Sequence, residues 1–363
     1  MRMANIAHRN RLHYGFYASM KPPIVIKNSL HKPHKARIAA LLIGLLAIGL
    51  AIPIALGGKE ALALIATLHL KDILILLSIM VIIWHLNLLK LRILMSGKLV
   101  NLSYWRMARI YMAAEFVSKT TPAGSGAPVA AIALLAPHNV SASTCIAIFC
   151  VVGCMDAIVL IFYISIFSLA GLSDMLGANA ITSMLLLTAI MACVIFATYL
   201  LISQHKLLIG IADGTLRLFS VPPSKRRTAH KALISLHRAI KKITRLPPWR
   251  LAISWAACLV YWILYLSTLY LSILLIGGHI SWTDAGFIQV IAMGVGHLLM
   301  IPGGIGGSEI TSAVLLTPLM GATIAGSAIL VWRFLMLYLY LIVGGLSMLS
   351  LMASPAEQGQ QTP

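Results

Sequence analysis

The stretch ASTCIAIFCVVGCMDAIVLIFYISIFSLA, residues 142–170, decides the fold: 29 residues with one charge, Asp156, at the fifteenth position. A run this long and apolar crosses a bilayer as a helix, because lipid offers no partner for backbone polar groups. A membrane barrel would need alternating segments of about ten residues, and the neighbouring sequence shows unbroken runs instead. They cover Ile38 to Leu56, Ile73 to about Leu89 with continuation as helix past Lys90 and Arg92 left open, Ala180 to Ile202, Leu251 to Ile276 and Ala322 to Met352. The composition agrees: 60% of the 363 residues are apolar, 10% are charged, and the mean hydropathy is +0.93. Soluble domains carry about 25% charged residues, so the expected class is an all-α integral membrane protein, a polytopic helical bundle. Disorder, coiled coil and a secreted disulfide scaffold are excluded.

Two further apolar stretches are interrupted. Tyr111 to Ala136 contains Thr-Thr-Pro-Ala-Gly-Ser-Gly-Ala-Pro at 120–128, and Ala285 to Met320 contains Ile-Pro-Gly-Gly-Ile-Gly-Gly-Ser-Glu at 301–309. Broken backbone at membrane depth is tolerated only where protein or a water-lined cavity satisfies it, so both stretches are expected to be re-entrant or discontinuous helix pairs.

The charge is lopsided, 28 Lys and Arg against 9 Asp and Glu, for a net +19 and a pI near 10.1. In a chain solvated by lipid this first reports topology, since loops rich in Lys and Arg stay in the cytoplasm. The N-terminal tail 1–37 holds eight basic residues and no acid, which places the N-terminus inside; an organellar transit peptide is the alternative. Lys90, Arg92, Lys98, Arg106 and Arg109 return the chain inside, and 203–250 carries eleven basic residues against Asp213. These segments hold 24 of the 28 basic residues, leaving Lys59, Lys71, Lys119 and Arg333. The short tail 353–363 falls inside by parity. Cys145, Cys150, Cys154, Cys193 and Cys258 all lie in apolar runs and read as small buried hydrophobes.

With this topology the triplet 73–89, 111–136 and 142–170 and the triplet 251–276, 285–320 and 322–352 run in opposite directions, an inverted repeat with matching breaks. In transporters of that plan the site lies near the midplane between broken helices. Asp156 follows Pro122 by 34 residues and Arg333 follows Pro302 by 31, so the two charges occupy comparable depths. An unpaired charge there costs at least about 2.5–3.5 kcal/mol on insertion scales. Asp156 and Arg333 are therefore expected to approach each other or to share a polar cavity; a static pair that fixes helix packing is the alternative. Glu115 and Lys119, four residues apart, can pair locally. Glu309 opens a helix and can cap it, and His297 precedes the same break. Gly303, Gly304 and Gly306 present N–H groups suited to an anionic head group. These nine residues form the expected lipid path, with a proton-coupled role open to Glu309, Asp156 or His297.

Residues 224–245 set Ala229, Ala232, Leu233, Leu236, Ala239, Ile240 and Ile243 on one helical face. Lys225, Arg226, Arg227, Lys231, Arg238, Lys241, Lys242 and Arg245 lie elsewhere. Such a basic amphipathic helix is expected to lie on an anionic leaflet, at about 1 kcal/mol per basic residue. Nucleic-acid binding lacks motif support. No nucleophile–base pair, metal cluster, cofactor motif or G-x-x-x-x-G-K-[ST] loop is found, so neither an enzyme nor an ATP-driven pump is expected.

Ile301-Pro-Gly-Gly-Ile-Gly-Gly-Ser-Glu309 resembles the PGG-hydrophobic-G-x-x-E signature of the lysylphosphatidylglycerol synthase transmembrane region, also called the flippase-like domain family. Asp156, Val331-Trp-Arg333 and Gly344-Gly345 fit its pattern, and the resemblance covers roughly 38–352. In one respect the chain departs: the family's first break resembles P-G-x-x-G-E, whereas Pro122-Ala-Gly-Ser-Gly-Ala-Pro128 lacks the acid, so no role for an acid transfers there. The aminoacyl-transferring domain of multidomain members is not expected, since eleven residues follow Met352. The resemblance implies a stand-alone bacterial inner-membrane protein of lipid-translocating type, with some relatives linked to hopanoid or isoprenoid-lipid pathways. The expected function is translocation of an anionic phospholipid or isoprenoid-type lipid between leaflets. A non-transporting accessory that docks lipid-biosynthesis enzymes is the alternative.

Overall fold

The computed structural model describes residues 32–95, 102–138, 140–169 and 222–353, together with isolated positions between 185 and 217. The chain divides into two compact units, residues 1–47 and 48–363. Of the first, only the helical backbone from Lys32 onward is described, as the start of α1 (Lys32–Ala66). The expected span at 38–56 falls within that helix. The tail 1–31 and nearly all of the expected span at 180–202 lie outside the described residues.

In the second unit the expected triplets take shape. α2 (Leu70–Leu94) and α5 (Ala142–Leu169) flank α3 (Tyr104–Lys119) and α4 (Gly126–Leu135). After the loop helix α6 (Pro223–Thr244), α7 (Pro248–Leu275) precedes α8 (Trp282–Leu298) and α9 (Gly307–Met320). A final helix follows as α10 (Ala322–Arg333), a π-helical turn at Phe334–Tyr338, and α11 (Leu339–Ala353). Residues 70–94, 142–166, 248–275 and 322–353 are long and apolar enough to cross a membrane. With no strand among the described residues, the protein is an all-α polytopic bundle.

The two interrupted helix pairs are built alike. α3 begins at Ser103, whose hydroxyl accepts the Arg106 N–H at 3.3 Å, and α8 begins at Ser281, whose hydroxyl accepts the Asp284 N–H at 3.0 Å. Each helix ends at its break, after Lys119 and after Leu298. The helix beyond is then started by a side chain from the break or its first turn. Thr121 Oγ1 accepts the Gly126 N–H at 2.8 Å, and Glu309 Oε2 accepts the Gly306 N–H at 2.9 Å. Contacts repeat the same order, α3 with α4 and α4 with α5, then α8 with α9 and α9 with α10, while α2 of the first triplet packs along α7 of the second.

Lipid tails are as apolar as leucine, so association of these helices rests on close packing and buried polar contacts. On α2 Leu76, Met80 and Ile83 are buried, as are Leu266, Leu269 and Ile273 on α7, each set at helical spacing. Between α11 and α3, a Cβ added at Gly344 would lie 2.5 Å from the Met112 carbonyl oxygen and 2.8 Å from Phe116 Cβ, so only glycine lets the two helices approach. Gln289, wholly buried on α8, donates from Nε2 to the Tyr265 carbonyl at 2.8 Å and accepts the Leu269 N–H at 3.2 Å.

Candidate functional site

The two breaks meet. Pro122 and Pro302, the prolines at corresponding positions, form an isolated antiparallel bridge. Neither proline has an N–H, so the pairing rests on the peptide groups beside them. Backbone geometry forces the composition of the second break: Gly303 has φ 63° and the Lys119 carbonyl oxygen stands 3.2 Å from where its Cβ would be. A side chain there would be strained and would push the breaks apart.

Three cations, Lys90, Lys119 and Arg333, and three carboxylates, Glu115, Asp156 and Glu309, sit on the broken helix pairs and the helices that flank them. Arg333 is buried and donates from Nε to Glu309 Oε1 at 2.7 Å and from Nη2 to the Gly303 carbonyl at 3.0 Å. Glu309, 0% exposed, thus caps α9 with one oxygen and holds the guanidinium with the other. The expected cap is formed, and the contact with Arg333 was not expected from the sequence. Gly303 and Gly306 take part through backbone groups, and Gly304 packs against Gly296 of α8.

Asp156 does not approach Arg333. Its Oδ1 accepts from Lys90 Nζ at 3.2 Å, from Trp262 Nε1 at 3.0 Å and from Cys258 Sγ at 3.2 Å. Lys90, assigned from the sequence to the cytoplasmic loop, is 0% exposed and also lies 4.5 Å from the centre of the Tyr261 ring. The physical reason is the length of α2, which runs one turn past the apolar stretch ending near Leu89 and carries Lys90 inward with it. Cys258 is correspondingly a hydrogen-bond donor as well as a small core residue. Glu115 and Lys119 do not form the expected local pair either: no ion pair of 4 Å or less joins them. Tyr111 accepts from Asn87 Nδ2 at 2.9 Å, and Lys119 Nζ lies 5.1 Å from the centre of the Tyr340 ring.

Asp156 and Arg333 do not line one cavity either, but two cavities that hold one of them each have lining residues in common. A cavity of about 50 Å³ is lined by Lys119, Arg333, Gly303, Gly304, Ser308 and His297, among others. A second, of about 350 Å³, has Asp156, Glu115 and Asn87 at its polar end and mainly apolar walls from α3, α4 and α5. Ser118 and His297 line both. His297 also lines a third, of about 390 Å³, with Lys119, Trp262 and Tyr265. Of the candidate path residues, Lys119, His297, Gly303, Gly304 and Arg333 line the first cavity and Glu115, Asp156 and His297 the second, while the pairing among them differs from the expected one.

Sequence reasoning missed Lys90, Trp262, Cys258 and the π-helical turn that begins one residue after Arg333. The spacing of Cys258 and Trp262, four residues apart on one helical face, was an available signal for a shared partner.

On α6, Lys225, Arg227, Lys231, Arg238, Lys241, Lys242 and Arg245 are exposed, whereas Arg226 turns to Asp213, Nη1 to Oδ1 3.7 Å. Ala232, expected on the apolar face, is exposed; Ile240 and Ile243 are buried, and the helix packs against α5.

Crossing helices and two broken pairs joined at their breaks define a class, the multi-pass α-helical membrane proteins. The chain belongs to the lysylphosphatidylglycerol synthase TM region family, whose pattern it matches over residues 37–344. A search of curated proteins found no match.

Proposed function

We propose that the protein moves a membrane lipid between leaflets of the bacterial inner membrane, with its N-terminus in the cytoplasm. The lipid's head group passes the cavities beside the two breaks while its tails stay in the apolar space. The observation that carries this reading is the Pro122–Pro302 contact between the breaks, with Glu115, Lys119, Asp156, His297 and Arg333 lining cavities around it. Charge drawn into a membrane-spanning bundle, as at buried Arg333 and half-buried Glu115, Lys119 and Asp156, is costly to build and is found where a polar path crosses the membrane. Rocking of one unit against the other would open the path to each side in turn. Reconstitution of the full chain into liposomes, with a fluorescent lipid whose outer-leaflet copies are quenched, tests the reading: exchange above protein-free vesicles supports it. The exposed cations of α6 favour a second reading, an accessory that docks lipid-synthesis enzymes at the membrane surface. Absence of exchange for every lipid tried, with intact association to such an enzyme, would favour that one.

A further inference from the structure

The two cavities that share Ser118 and His297 differ in sign. The larger is lined by two carboxylates, Glu115 and Asp156, and by no Lys or Arg. The three donors that hold Asp156 all bind Oδ1, which leaves Oδ2 for the cavity. The smaller is lined by Lys119 and Arg333 and by no Asp or Glu. Lys119 has no carboxylate within 4 Å among the described residues. Trp332, which also lines the smaller cavity, is 0% exposed and its Nε1 donates to no acceptor in the protein. A buried N–H left unmade costs about 1–3 kcal/mol, and beside two cations the acceptor that suits it is an anionic oxygen. Glu115 and Lys119 are one helical turn apart, so the sign changes over about 6 Å along α3.

We infer that the two cavities are the acidic and basic lobes of one head-group site, and that its substrate is a phospholipid whose head carries both a phosphate and a cationic nitrogen. The inference rests on the lipid-moving reading and narrows it. Phosphate oxygens meet Lys119, Arg333 and the Trp332 N–H, and the cationic nitrogen of a short head such as phosphoethanolamine meets Glu115 and Asp156. Three carboxylates, Glu309 buried and Glu115 and Asp156 half-buried, already balance three cations, Lys90 and Arg333 buried and Lys119 half-buried, so a zwitterionic head adds no net charge. A net-anionic head such as phosphoglycerol fills only the basic lobe and sets its uncompensated charge near Glu115 and Asp156, which discriminates against it.

The test uses the full chain in proteoliposomes with acyl-labelled phosphatidylethanolamine and phosphatidylglycerol. Loss of one charged hydrogen bond corresponds to about tenfold or more, so phosphatidylethanolamine should exchange about tenfold faster. Glu115→Gln should slow it until the two lipids exchange alike, whereas Lys119→Met should slow both. Equal or faster exchange of phosphatidylglycerol by the native chain, or an unchanged ratio in Glu115→Gln, overturns the inference. Native mass spectrometry of the detergent-solubilised chain reads the same preference as retained lipid without requiring transport. If no lipid exchanges, preferential retention of phosphatidylethanolamine keeps the two-lobed site while the transport reading fails; indifferent retention sinks the site as well.

Discussion

Lys90 and Asp156 illustrate how a single buried contact fixes three helices. Lys90 comes from α2, Asp156 from α5, and Trp262 and Cys258 from α7, all joined at one carboxylate oxygen. Removing one partner strands the other charge in a low-dielectric interior, which costs about 3–5 kcal/mol in buried pairs. Lys90→Met should therefore lower the melting temperature of the detergent-solubilised protein sharply, and Lys90→Met with Asp156→Asn should recover most of the loss. An additive double mutant would show that the two do not depend on each other. Arg333→Met leaves the wholly buried Glu309 without its cation, although Glu309 retains the Gly306 amide; its destabilisation should match that of Lys90→Met and be relieved by Glu309→Gln. Asp156 and Arg333 were legible as buried charges because each interrupts a long apolar run. Their partners were not. Lys90 sits where hydropathy ends, and hydropathy does not distinguish a base facing water from one folded back along an extended helix. Glu309 was legible as a cap, but a contact with Arg333, 24 residues away, has no local signature.

Among the elements, the breaks were the most legible, because proline and glycine clusters inside apolar stretches have few other readings. The match reached individual positions: the prolines used to align the two units are the ones that touch. The glycine pair in the last helix needs a partner surface to be understood, namely Met112 and Phe116 on α3. Gly344→Leu would force α11 and α3 apart, and overpacking of this kind costs about 1–3 kcal/mol or more. The expected outcome is poor folding yield, measured as the fraction eluting as a single species, with Leu346→Ala on the exposed face as a tolerated control. For α6, the proposed role is association with an anionic leaflet through its exposed cations. Replacing Lys231, Arg238, Lys241 and Lys242 with Gln should weaken binding of a 222–246 peptide to vesicles rich in anionic lipid, by about 1 kcal/mol per site. Binding that is unchanged, or insensitive to salt, would show that the basic face is not the cause.

Across the molecule, the contact between the breaks ties the two helix triplets together at one point. Antiparallel residues that do not exchange hydrogen bonds sit about 4.5 Å apart at Cα, within the range a disulfide spans. With the native cysteines replaced, Pro122→Cys with Pro302→Cys should oxidise readily, seen as a mobility shift on non-reducing gels. If the path opens by rocking of the units, oxidation should halt lipid exchange and reductant should restore it. Exchange that continues in the oxidised protein would mean that the breaks stay joined throughout the cycle.

The π-helical turn at Phe334–Tyr338 sets a phase. An α-helix advances about 100° per residue, so one extra residue in a turn rotates everything downstream by that angle relative to a straight helix. Arg333, upstream, faces Glu309; Tyr340 and Gly344, downstream, face Lys119 and α3. Excising one residue from 334–338 would leave every side chain at both sites chemically intact and yet allow only one of the two faces to remain in register, so the insertion acts as a fixed angular offset between the charge pair and the helix seam.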